Sequence, residues 1–306
     1  MAAIAGTQAA ALQAQLAYSR SNEQEADRLG MRTMVEAGLD PNAVGDMFEE
    51  MQRASRLYST RAPEFLQTHP VTQSRIADAR NRAATYEVTP RDVDIEYLLM
   101  QARVKLHFEE NERQAAVRFR TEISNGFGDT TAARYGLVLA LIKLHQLDEA
   151  GEILEQLIEQ DPTRISYQVA KAELLIAGGE LEAAQQLMKQ QLEYNPDNHP
   201  LTMTYFQALR QDNQFTEAEL VLSAHSGVRP TDPSIWYELA EIRGQAGKIV
   251  GVHEARAEYF FLTGSANQAI KQLGYALPLV RDDYPSQVKV QQRIRDIQHW
   301  KENMQF

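Results

Sequence analysis

Four alanines stand 34 residues apart in this chain, at Ala116, Ala150, Ala184 and Ala218. In three of the four cases a proline follows twelve residues later, at Pro162, Pro196 and Pro230. Self-similarity at such a period means one supersecondary unit used again and again. A helix–turn–helix unit cannot bury its apolar face alone, so such units stack into a solenoid with a concave surface. The neighbours of the alanines agree with helices. Ile153 and Leu154, Leu187 and Met188, and Val221 and Leu222 fall three and four residues after an alanine, on one helical face. Leu141, Leu175 and Leu209 repeat the period in the preceding helices. No strand-like alternation stands out, so the expected fold class is all-α.

The unit resembles the tetratricopeptide (TPR) repeat, with its small residue early in the second helix and its closing proline. The first unit is imperfect, because Gly128 stands where the proline would be. Beyond Pro230 the period drifts, through helices expected from Trp236, over Val252–Leu262 and Ser265–Leu277, and finally through Trp300. Terminal units cap a stack and are expected to be atypical. Residues 91–306 are thus read as a TPR α-solenoid whose groove holds a protein partner, and residues 1–90 as a separate domain.

Composition excludes more than it identifies. The 306 residues carry a net charge of −11, which argues against nucleic acid as a partner, since phosphate needs a basic field. The chain has no cysteine, hence neither disulfides nor thiolate metal ligands. No run of apolar residues is long enough for a membrane span. Met1-Ala-Ala-Ile-Ala-Gly-Thr lacks the basic residues and apolar core of a signal peptide.

The first ninety residues carry the chemistry. One long helix is expected from about 9 to 36, ending at Gly38, and a second from 41 to 55. A loop with Pro63 and Pro70 follows over 56–70, then a helix from Val71 to Tyr86, with a boundary at Val88–Asp92. Within the first helix, Glu23-Gln24-Glu25-Ala26-Asp27 places Glu23 and Asp27 on one face, at i, i+4. Alone, such a pair reads as a solvated surface with mild repulsion. In its context, from Tyr18 to Gly30, it resembles the Glu-x-x-Ala-Asp motif of zincins related to HtpX and the CaaX-type proteases. That resemblance implies Glu23 as the third zinc ligand and Asp27 as the partner that orients a ligand histidine, with Glu25 a disfavoured alternative. Downstream, Thr68-His69-Pro70, Ser74-Arg75 and Ala77-Asp78-Ala79-Arg80-Asn81-Arg82 resemble the BepA-like family of periplasmic zinc metalloprotease–chaperones with a C-terminal TPR domain. The resemblance implies His69 as a regulatory latch that fills the open zinc position, and Arg75 as an arginine beside the active site.

One departure is large. A zincin needs His-Glu-x-x-His for two zinc nitrogens and the general base, and the chain contains none. In the family that motif precedes Glu-x-x-Ala-Asp, so it is expected ahead of Met1, and the chain by itself is expected not to cleave protein or to hold zinc tightly. What the resemblance implies for the intact protein is a metalloprotease that assists assembly of outer-membrane β-barrels, including the lipopolysaccharide transport barrel LptD, and degrades those that stall. The TPR groove would hold the clients or the barrel assembly machinery in the periplasm, and peripheral association with a membrane is compatible with this. The alternatives are a non-enzymatic TPR adaptor, with residues 1–90 as a helical cap, and a cytoplasmic TPR scaffold.

Overall fold

A computed structural model describes residues 21–57, 71–87, 93–126 and 128–303. They fold as helices and connecting turns, and no strand occurs among them. The chain divides into two compact units, 1–93 and 94–306.

In the first unit, α1 (residues 21–36) ends where Gly38 adopts φ 71°, a left-handed conformation that glycine takes without a Cβ clash. The Leu39 amide then reaches back to the Met34 carbonyl at 2.8 Å, closing the helix end. Asp40 accepts the Asn42 amide at 2.8 Å and starts α2 (Asn42–Leu57). Thr72 caps α3 (Gln73–Ala83) through the Arg75 amide. Met31, Val44, Phe48, Ile76, Ala79 and Ala83 make the core of these three helices.

Two expectations change, and others fall where the structure gives no description. Residues 9–20 and 58–70, with them His69, Pro63 and Pro70, lie outside the described residues. α2 runs on to Leu57. α3 is shorter than Val71–Tyr86 at both ends: the Thr72 cap sets its start, and i→i+3 bonds from Thr85 and Tyr86 turn the chain out of the helix.

The second unit is built of helix pairs. α4 (Ile95–Phe108) pairs with α5 (Glu112–Asn125), α6 (Thr130–Lys143) with α7 (Leu147–Gln160), and α8 (Ile165–Ala177) with α9 (Leu181–Tyr194). They are followed by α10 (His199–Gln211) with α11 (Phe215–Val228), α12 (Pro233–Gln245) with α13 (Ile249–Leu262), and α14 (Ala266–Ala276) with α15 (Tyr284–Asn303), the last two joined by a short 3₁₀ turn, Leu277–Val280. The repeated alanines sit where second helices press closest: Ala150, Ala184 and Ala218 are 0% exposed and Ala116 is 2%. Leu141 and Leu209 are buried as expected, whereas Leu175 is only half-buried.

The turns carry the period as well. His145, Gly179, Asn213 and Gly247, each 34 residues after the last, all adopt positive φ, at 54°, 81°, 58° and 75°. After each of them the chain re-enters a helix two residues later. The backbone repeat therefore runs one unit past Pro230, where the alanine gives way to the buried Val252. At the far end Phe261 meets Trp300 edge-on at 5.1 Å, and the Arg293 guanidinium grips Glu258 at 2.7 and 2.6 Å. These contacts close the stack with a longer, atypical helix. No helix of the described residues is long and apolar enough to cross a membrane.

Candidate functional site

α1 presents Glu23 and Asp27 one turn apart, and α3 brings Arg75 against both. Arg75 Nε and Nη2 donate to the two oxygens of Asp27 at 2.8 and 2.7 Å, a side-on fork. Its Nη1 lies 3.1 Å from Glu23 Oε2. Beneath the guanidinium is the Phe48 ring of α2, 4.8 Å away, in cation–π geometry. The group is mostly shielded from solvent: the side chains of Arg75, Asp27 and Glu23 are 12%, 16% and 22% exposed.

The electrostatics follow from that packing. Two carboxylates at i, i+4 repel in isolation, and a shared guanidinium reverses the sign of the arrangement. The hydrogen bond that Arg75 donates to Asp27 holds its guanidinium protonated above its usual range; burial opposes this, and the charges of Asp27 and Glu23 add to it. Bidentate pairing fixes orientation as well as charge, so the fork sets the rotamer of Asp27 and the place of Glu23.

Of the sequence candidates, the structure brings together Glu23, Asp27 and Arg75. Glu25 is turned away, exposed and paired with Arg28 at 2.7 Å, which separates it from this cluster. Phe48 was missed, since nothing in local periodicity marks a ring that an arginine 27 residues later will cover. A second arginine cluster on the same unit was also missed. Arg80 pairs with Asp46 at 2.6 Å and Glu49 at 2.9 Å, and lies over Gly45, where a Cβ would fall 2.7 Å from its Nε.

The zinc implied by the sequence motif does not fit these residues by themselves. A catalytic zinc takes about three protein donors. Here there are two carboxylates, one committed to Arg75 through both oxygens. No group of three or more His, Asp or Glu side chains among the described residues could hold a metal.

Two family models match separate stretches of the chain. Residues 1–83 match the family model of Peptidase family M48. Residues 107–174 and 175–242 match that of the tetratricopeptide repeat. A beta-barrel assembly-enhancing protease of Yersinia pestis is 29% identical over 303 residues, 99% of this chain and 62% of its own length. The beta-barrel assembly-enhancing protease of Escherichia coli (strain K12) is 29% identical over 305 residues, with the same two shares. The chain thus spans a little over three fifths of the length of these relatives. Along nearly all of its own length it is similar to beta-barrel assembly-enhancing proteases, with a Peptidase family M48 segment followed by tetratricopeptide repeats.

Proposed function

We propose that this chain carries the acidic-ligand helix and the partner-holding scaffold of a periplasmic zinc metalloprotease that assists outer-membrane β-barrel assembly and removes barrels that stall. The observation that carries this reading is the Glu23–Asp27–Arg75 cluster, which lies inside the segment matching a metallopeptidase family. In this reading Glu23 contributes one carboxylate to a zinc centre whose remaining donors come from outside the described residues. Asp27 and Arg75 orient and hold it: the guanidinium bridges both carboxylates on one face of α1. His69 is the removable latch on that centre. The repeats of the second unit hold the barrel client or the assembly machinery.

The test joins a segment bearing His-Glu-x-x-His ahead of the chain and follows casein cleavage with and without chelator. Chelator-sensitive cleavage is expected only in the joined protein. Glu23→Ala should abolish it and lower bound zinc, while His69→Ala should raise it. Cleavage that survives Glu23→Ala with zinc content intact refutes the ligand assignment. Equal loss of cleavage and zinc in both variants refutes the latch.

A further inference from the structure

The two ends of the repeat stack are finished differently. α15 closes the far end, and charged side chains such as Lys289, Arg295 and Asp296 stand exposed on it. That is the polar outer face a terminal repeat needs to stay soluble. α4 begins the stack and has no such face. Its core side is narrow: it buries Leu99, Ala102 and Leu106, whereas α6, the first helix of the next pair, buries every residue from Tyr135 to Ile142. On the opposite side of α4, Tyr97, Met100, Val104 and Phe108 are 62%, 42%, 54% and 80% exposed. Helical periodicity puts all four on one face, away from the core.

No free charge interrupts that face. The charged side chains of α4 turn to partners in their own chain: Glu96 to Arg164 at 2.8 Å, Arg103 to Glu173 at 3.0 Å and Lys105 to Glu122 at 3.4 Å. Beside the four apolar residues stand Gln101 and His107, both exposed, with the imidazole edge-on to the Phe108 ring at 5.1 Å.

The stripe is also complementary to itself. About a two-fold axis between Met100 and Val104, a second α4 runs antiparallel to the first. Tyr97 of each copy then meets His107 and Phe108 of the other, and Met100 meets Val104. Rings face rings at the two ends, aliphatic side chains fill the middle, and no like charges oppose. A contact of this kind uses the same patch on both copies and closes at two. At ~200 Å² for an aromatic side chain and less for Met and Val, the exposed fractions come to roughly 450 Å² on each copy. With Gln101 and His107 added, a pair buries about 1,000 Å², the lower bound for a specific interface.

We infer that α4 is a homodimer interface, on which a second copy of this chain packs its own α4 antiparallel across Tyr97, Met100, Val104 and Phe108. The inference stands on the repeat stack alone and is independent of the metal-centre reading.

The experiment is sedimentation equilibrium of the full chain from about 1 to 200 µM, since dimer formation follows mass action. An interface of this size should give a Kd on the order of 10 µM. Val104→Glu should weaken association about a hundredfold or more, because it sets a carboxylate and its two-fold mate inside the contact. In dilute protein its melting temperature should match that of the parent, since Val104 is exposed in the single chain. The chain has no cysteine, so one introduced thiol reports on the geometry. Gln101→Cys lies beside the axis and should form a cross-linked dimer on oxidation; Tyr97→Cys, whose two copies lie at opposite ends of the contact, should not, because a disulfide needs close Cα atoms. A chain that stays monomeric throughout, association unchanged by Val104→Glu, or equal cross-linking of the two thiol variants overturns the proposal. A monomer whose melting temperature falls in Val104→Glu also overturns it, and assigns the face to a contact within the chain.

Discussion

Arg75 holds Asp27 through two nitrogens at once, at 2.8 and 2.7 Å, across 48 residues of chain. With Glu23 at 3.1 Å on the third nitrogen, one guanidinium ties α3 to α1. Arg75→Ala removes the guanidinium that the two neighbouring carboxylates share. We expect a loss of about 2 kcal/mol, less than the ~3–5 kcal/mol of a fully buried pair, because these side chains keep 12–22% of their exposure. Arg75→Lys should recover only part of it, since an ammonium cannot fork. Both tryptophans, Trp236 and Trp300, lie in the second unit. Urea unfolding followed by circular dichroism should show an earlier first transition, while tryptophan fluorescence should be unmoved. A shift in fluorescence equal to that in dichroism would show that the two units do not unfold separately.

Among the glycines described in the second unit, Gly136 leaves the least room for a side chain. A Cβ there would lie 2.4 Å from Cζ of Phe119, whose ring is fully buried. Gly136→Ala should therefore destabilise by about 1–3 kcal/mol through overpacking, although alanine is the better helix former. Phe119→Leu removes the ring edge. The double variant should lose less than the sum of the two single variants, with a coupling of about 1 kcal/mol. Additive losses in urea titrations would mean that the ring moves aside.

What could be read from the sequence was whatever recurs. The alanines at 116, 150, 184 and 218 mark the close helix contacts because only a small side chain fits there, and all four are buried. The left-handed turns at 145, 179, 213 and 247 repeat as faithfully, yet their residues are His, Gly, Asn and Gly, so residue identity hides a period that the backbone keeps. Leu175 shares the period of Leu141 and Leu209 but is only half-buried, packed at the margin of the cluster formed by Val169, Ala172, Ala184 and Met188. In the first unit the i, i+4 spacing placed Glu23 and Asp27 on one face. Their contact with Arg75 and the ring of Phe48 beneath it depend on how three helices pack, which no local spacing encodes.

His199 and His225 are expected to set the pH response of the second unit near neutrality. His199 Nδ1 and His225 Nε2 are 2.9 Å apart, and the rings stack at 5.2 Å. One imidazole donates and the other accepts, which requires at least one neutral ring. Burial pushes both below the ordinary histidine range, and the charge of Arg229 adds to this; Asp232 opposes it at both rings and Asp197 at His225. With folded values below the unfolded one, the unfolded chain binds more protons as pH falls, so stability declines. Their contribution is complete above pH 6.5, the ordinary histidine value, and is lost as pH falls from there through the folded values. The slope is at most ~1.4 kcal/mol per pH unit for each imidazole. Urea midpoints from tryptophan fluorescence should drop as pH falls from about 6.5 to 5.5, a window above most carboxylate titration. His225→Gln should lower stability at the upper end, because His199 loses its ring partner, and flatten the slope, because one titrating imidazole is gone. An unchanged slope in this variant would assign the pH response to other groups.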